Sequence, residues 1–263
     1  MIIKMRLKRG VKMPDIIVHT AFGAEVLERT ALDVKRDIYD LGLLGPDPYL
    51  FYRFYRPPFR SRVSRYASTM HRERTGVFLM ELARRAKNSP EVFSYLAGFL
   101  CHYALDSNTH PYINRKAKNR GAMHMAIEHR LDNIKGGELR IPPFLPESMK
   151  DSVGGAITKV YGWDDAWEKL RQGHRDMTPF YRIVEDKSGR LDWFARKTHT
   201  KLALISYKSK SVDDMDLSGF EPLYRRALYD ATRYIEAARD YINGKTCEKE
   251  LSVVIGSRSY IDG

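Results

Sequence analysis

Apolar and polar positions recur along this chain with the spacing of helices. Leu79, Leu82, Ala83 and Ala86 mark the buried side of a predicted helix over about 75–87. Leu223, Ala227, Leu228, Ala231, Tyr234 and Ile235 do the same over about 220–243, with Gly244 placed to cap the C-terminus. Ser89-Pro90 opens a helix expected to run to about Ser107, because proline is tolerated in a first turn. Pro111 has no N–H and disfavours helical geometry in the residue before it, so His110 is expected just beyond that helix. Thr20 reads as the N-cap of a helix over 21–39, whose apolar set follows the helical period only loosely, and His19 would sit just ahead of it. Further helices are predicted over 121–133, near 148–160, and near 163–185 with a break at Gly173 or Pro179.

Between these elements lie two stretches of loop chemistry, Gly45-Pro46-Asp47-Pro48 and the proline-rich connection at 141–146. The last residues, CEKELSVVIGSRSYIDG, read as a strand or a tail. No internal repeat is visible. The expectation is an all-α, single-domain helical bundle over 13–245, preceded by a basic lead-in at 1–12 and followed by a tail at 246–263.

Composition narrows the partners. The chain has 263 residues, 43% hydrophobic and 30% charged, which suits one large core or two modest ones. No apolar run reaches the roughly 20 residues a membrane span needs. The start, MIIKMRLKRGVKM, holds no apolar segment long enough for a signal peptide, so the expected location is cytoplasmic, with peripheral contact to an anionic membrane as an option. The net charge of +12 favours a phospholipid surface, nucleic acid or a phosphate ester, and is also compatible with a merely solvated surface. Cys101 and Cys247 make no disulfide framework, and Cys101 reads as a small buried residue.

The chemistry is concentrated in Gly98–Tyr112, GFLCHYALDSNTHPY. His102, Asp106 and His110 stand four residues apart, each step turning a helix by about 40° and climbing about 6 Å. They share a face, but the outer two would be about 12 Å apart, too far to grip one ion at bonds of about 2 Å. Such a row suits two metals, with the two oxygens of Asp106 free to bridge. His124 and Glu128 repeat the device at i and i+4. Two such pairs on two helices argue against ordinary core histidines. Asp47, held between prolines, suits a ligand or general base, although alone it would read as a turn aspartate. Tyr49, Phe51, Tyr52, Phe54, Tyr55 and Phe59, interleaved with arginines, suit nucleic acid, a head-group pocket or a core wall. His129 points to another face and reads as a supporting or surface residue. His174 and His199 have no carboxylate at ligand spacing.

Taken in order, His19, Gly-Pro-Asp47-Pro, His71, His102-x-x-x-Asp106, His110 and His124-x-x-x-Glu128 resemble the zinc-dependent phospholipase C family, over about residues 13–135 by motif. P1-type nucleases share that architecture and a similar trinuclear site. The resemblance implies a helical bundle with a buried cluster of two or three zinc ions. It implies His71, His102 and Asp106 at a first zinc, His110, His124 and Glu128 at a second, and Asp106 bridging to a third that His19 also binds. Asp47 matches the family's proposed general base, or a ligand of the metal-bound water. One departure is plain. Secreted members complete the third site with an N-terminal tryptophan, whereas the first tryptophan here is Trp163. The third site is therefore expected to be empty, or completed by Asp15 or by an amine freed at Pro14.

The expected activity is hydrolysis of a phospholipid head group by a metal-activated water. The rivals are a nuclease or other phosphodiesterase on the same scaffold, and a non-catalytic zinc-binding protein.

Overall fold

The computed structural model describes residues 16–56, 61–73, 75–136, 145–198, 200, 204 and 206–260. The basic lead-in, Pro14, Asp15, Phe59 and His199 lie outside the described residues. In chain order the helices are α1 (Ile16–Thr30), α2 (Arg36–Leu43), α3 (Pro48–Phe51), α4 (Arg62–Met70), α5 (Thr75–Ala86), α6 (Pro90–Lys116), α7 (Gly121–Lys135), α8 (Glu147–Met149), α9 (Gly155–Tyr161), α10 (Ala166–Glu185), α11 (Arg190–Lys197), α12 (Phe220–Ile242) and α13 (Glu248–Ile255). A π-turn over Lys150–Gly154 joins α8 to α9. No strand occurs among the described residues, so the fold is all-α as expected. No helix among them is long and apolar enough to cross a membrane.

The fold is built around α6. Every residue from Ser94 to His110 is buried, so this helix has no solvent face along that length, and α1, α2, α5, α7 and α12 pack around it. Its N-terminus is capped as the sequence suggests, with Ser89 Oγ accepting from the Val92 N–H at 3.2 Å and Pro90 in the first turn. Its C-terminus is not as expected. The helix continues through Pro111 to Lys116, and His110 stays in register with Asp106. A mid-helix proline costs about 3 kcal/mol. Burial of Ile113 and Asn114 beyond it, and the closing bond from Ala117 N–H to Ile113 O at 2.8 Å, offset that cost.

Against α6 lies α2, with the two backbones in close approach. A Cβ built on Gly98 would lie 2.1 Å from Tyr39 O and 2.9 Å from Gly42 Cα. Only two glycines let these backbones meet. The carbonyl end of α2 is thereby pressed onto the turn of α6 that carries His102.

Four other expectations are corrected. The single helix over 21–39 is two helices, interrupted where Ala31 adopts a left-handed φ of 45°. Thr20 is no N-cap. It lies inside α1, where its Oγ1 donates to Ile16 O, and His19 sits in the helix rather than ahead of it. Nor does α10 break: it runs unbroken past Pro179 and Gly173. A Cβ at Gly173 would meet Pro48 O at 1.9 Å, so this glycine serves close approach, not interruption. Finally, the segment read as strand or tail forms α13, and Leu251, Ile255 and Tyr260 join the core. Gly244 follows α12 at φ 73°, as its capping role requires.

Candidate metal centre

Each of these packing choices aims a side chain. The Gly42–Gly98 crossing brings the Leu43 carbonyl to His102, which donates from Nδ1 at 3.0 Å. The next turn, Leu44–Pro48, then folds over the ring. Gly45 has φ 54°, and a Cβ there would stand 2.3 Å from His102 Cδ2, so any side chain would displace the imidazole. Behind that turn, Asp47 is buried at the start of α3, and α10 supports the adjoining Pro48 at Gly173.

The other rings are tethered in the same way. His71, at the end of α4, donates from Nδ1 to Ala67 O at 2.8 Å. His124 on α7 places Nδ1 2.9 Å from Asn114 Oδ1. His19 is held indirectly: Asp132 on α7 accepts the Val18 N–H at 2.7 Å and the Tyr207 hydroxyl at 2.6 Å, satisfying an otherwise orphan donor in the first turn of α1.

The free Nε2 atoms converge on three buried carboxylates. His71 Nε2 lies 2.9 Å from Asp47 Oδ1. His102 Nε2 lies 3.2 Å from Asp106 Oδ2 and 3.8 Å from Asp47 Oδ2. His19 Nε2 is 3.1 Å from Asp106 Oδ1. His110 Nε2 stands between Asp106 at 3.6 Å and Glu128 at 3.3 Å, and His124 Nε2 is 2.7 Å from Glu128 Oε1. All eight side chains expected at the site are buried and form one continuous chain of contacts.

They sort into three groups with ligand atoms within 4.8 Å of one another: His110, His124 and Glu128; His19, His102 and Asp106; and Asp47, His71 and His102. The first is the set implied by the resemblance for a second zinc. The other two divide the remaining ligands differently, since Asp47 joins His71 and His102 in one group while Asp106 joins His19 and His102 in the other. His102 is common to both.

These residues fit bound cations. An Nδ1 committed to a carbonyl carries the proton, so Nε2 presents a lone pair to a carboxylate, an arrangement that repels unless a proton or a metal lies between. No lysine or arginine pairs with Asp47, Asp106 or Glu128 among the described residues, although burying unpaired carboxylates is costly. Asp47 Oδ2, Asp106 Oδ2, Glu128 Oε2, His102 Nε2, His19 Nδ1 and His110 Nδ1 have no hydrogen-bond partner among the described residues. Burial opposes charge on His102, yet Asp106 and Asp47 raise its pKa to about 9, and burial pushes Glu128 up to about 7. Burial likewise opposes ionisation of Asp106, but the imidazoles of His110, His102 and His19 hold it well below the carboxylate range. The potential at the centre therefore favours positive charge, and imidazole with carboxylate is a donor set suited to zinc.

Two residues outside the eight, Asn114 and Tyr260, also contribute here. Asn114 continues the four-residue register of His102, Asp106 and His110, a signal that was present in the sequence. Tyr260 gave none. It is buried with its ring 5.1 Å from that of His71 and 5.6 Å from that of His102, forming a wall of the centre. Among the aromatics after Asp47, Tyr49 and Phe51 fill the core, whereas Tyr55 is exposed. His129 is buried and stacked on Tyr207 at 3.9 Å, not at the surface, and burial pushes its pKa down to about 3. His129, His174 and Cys101 enter none of the three ligand groups. Cys101 is fully buried, as expected, and its thiol is pushed up to about 12.

A family model described as zinc dependent phospholipase C matches residues 18–208, a span that contains all eight side chains. Comparison with curated proteins and with solved structures finds no match. With its helical fold and its buried histidine–carboxylate groups, the chain belongs to the zinc-dependent phospholipase C family.

Proposed function

We propose that this protein hydrolyses the phosphodiester bond between glycerol and head group of a phospholipid, using zinc held by His19, His71, His102, Asp106, His110, His124 and Glu128. The observation that carries this reading is the convergence of lone-pair-bearing Nε2 atoms on carboxylates that no lysine or arginine neutralises. Zinc in these groups would supply positive charge for the phosphate oxygens and lower the pKa of a nearby water.

The chain's own residues do the rest. Asp47 Oδ2 is buried and has no hydrogen-bond partner among the described residues, while Oδ1 faces His71 Nε2 at 2.9 Å. That free oxygen is placed to orient the attacking water and accept its proton. Oxygen from water bonds to phosphorus, the bond from phosphorus to the glycerol oxygen breaks, and the proton passes from Asp47 to that departing oxygen. Diacylglycerol and the phosphorylated head group are the products. The tethers on His71, His102 and His124 keep the donors in place without reorganisation. Tyr260 and the Gly45 turn restrict water around His102.

The net charge of +12 favours a second reading, a phosphodiesterase acting on nucleic acid. A panel of a choline phosphodiester, bilayer phospholipid and single-stranded DNA separates the two. Turnover of the lipid that is lost in Asp47→Asn, abolished by chelator and restored by zinc supports the first. Turnover of DNA alone supports the second. Bound zinc with no turnover of any of the three would make the protein a non-catalytic zinc binder.

A further inference from the structure

The corner where α10 turns into α11 exposes large apolar side chains that the catalytic reading does not use. Ile183 is 61% exposed, Trp193 62% and Phe194 51%. Inward-facing Asp192 and Ala195 fasten α11 to the body, and Asp186 caps it by accepting from Leu191 and Asp192 N–H at 3.0 and 2.9 Å. The outward face therefore combines aromatic rings with charge: Arg190, Arg196 and Lys197 share it, and Arg182 and Lys187 lie alongside. Acidic groups at this corner are largely turned in or engaged. Asp186 and Asp192 are buried, Asp192 pairs with Arg196, and Glu185 pairs with Lys187 at 3.3 Å. Arg182, Arg190 and Lys197 have no ion-pair partner among the described residues. A cleft of about 710 Å³, lined by Arg182, Ile183, Lys187, Arg190 and Leu191 among others, opens at the same place.

We propose that this corner docks the protein on an anionic phospholipid bilayer, with Trp193, Phe194 and Ile183 entering the head-group layer and Arg182, Arg190 and Lys197 meeting lipid phosphates. Protruding indole and phenyl rings flanked by unpaired cations suit the interface between water and lipid, where aromatic rings settle and basic residues are drawn to negative surface charge. An exposed isoleucine gains little from a nucleic acid and much from lipid. The choice of lipid over other polyanions rests on the phospholipase reading. Position supports it as well: α10 packs on α3, the short helix that Asp47 begins, and the buried ring of Tyr181, adjacent to Arg182, lies 5.8 Å from that of Phe51 on α3. One turn of α10 thus supports the helix behind Asp47 and, on its other side, carries the proposed lipid contact.

Vesicle co-sedimentation of the zinc-loaded protein tests this. The vesicles are phosphatidylcholine alone, and phosphatidylcholine mixed equally with phosphatidylglycerol. Binding to the anionic vesicles should exceed that to neutral ones by about a hundredfold, the order expected from three unpaired basic residues near an anionic surface. It should come with a blue shift of tryptophan fluorescence that Trp193→Ala removes. Trp193→Ala with Phe194→Ala should lower binding about tenfold or more, whereas Tyr229→Ala, an exposed aromatic on α12, should leave it unchanged. Equal binding to both vesicles, unchanged binding of the double variant, or a Trp193 response to single-stranded DNA but not to vesicles overturns the proposal. Hydrolysis of a soluble choline phosphodiester is measured alongside. The double variant should keep the parental rate, and a parent that docks without hydrolysing would remove the phospholipase reading while leaving the docking surface standing.

Discussion

The backbone N–H of Tyr260 donates to the carbonyl oxygen of His71 at 2.8 Å. A residue near the end of the described chain thereby fixes the segment that carries a candidate metal ligand from its first third, and its ring closes over His71 and His102. Replacing Tyr260 with alanine should leave a cavity and cost about 3–5 kcal/mol of stability. It should also reduce zinc retention, whereas Tyr260→Phe keeps the ring and should preserve most of both. Denaturant unfolding and elemental analysis of the two variants check this, and equal behaviour of Ala and Phe would remove the ring from the site.

Gly45 should tolerate no side chain. Its φ of 54° and the 2.3 Å approach of a Cβ to His102 Cδ2 combine backbone strain with a clash. Gly45→Ala should destabilise by about 1–3 kcal/mol and lower metal content by shifting His102. Gly121→Ala, where a Cβ meets nothing within 4 Å, is the matched control and should be close to neutral. The comparison uses thermal unfolding and zinc stoichiometry on both proteins.

Metal content should respond unequally to the loss of different ligands. His102 belongs to two ligand groups and Glu128 to one, so His102→Ala should lose more zinc per chain than Glu128→Ala. Chelation of the parent should lower its stability, by about 4 kcal/mol if zinc is present at a thousand times its dissociation constant. Elemental analysis with unfolding curves in zinc and in chelator tests both statements, and a parent that takes up no zinc would end the argument for the centre.

Acid sensitivity should arise partly outside the centre, at His174. Burial pushes its pKa down from 6.5 to about 4, so the folded protein holds it neutral while the unfolded chain protonates it. The unfolded state binds the extra proton between those values. Stability from this group is therefore present above about pH 6.5 and lost as pH falls towards about 4, by on the order of 3 kcal/mol at most. His174→Leu should unfold with a shallower pH dependence across that window. Curves for parent and variant that stay parallel would show that His174 does not titrate in this way.

Much of the centre was legible because its chemistry is local. The four-residue register of His102, Asp106 and His110 fixes a common helical face whatever surrounds it, and Gly-Pro-Asp-Pro fixes a turn. Register failed where packing outweighed propensity. Pro111 does not end α6 because buried Ile113 and Asn114 hold the next turn in place. Ala31 divides the first helix although alanine is a strong helix former. Tyr260, Asp132 and the Leu43 carbonyl act through contacts across the fold, and no spacing along the chain announces them.

The contact between Tyr260 and His71 also bears on the order in which the protein is made. Every candidate ligand has been synthesised once the ribosome passes Glu128, yet the ring that walls two of them arrives more than a hundred residues later, on the order of ten seconds at ordinary elongation rates. For that interval the nascent chain carries its complete set of donors without the closure that sequesters them. Zinc can therefore enter before the last wall is placed, and exchange should slow sharply once α13 and Tyr260 dock.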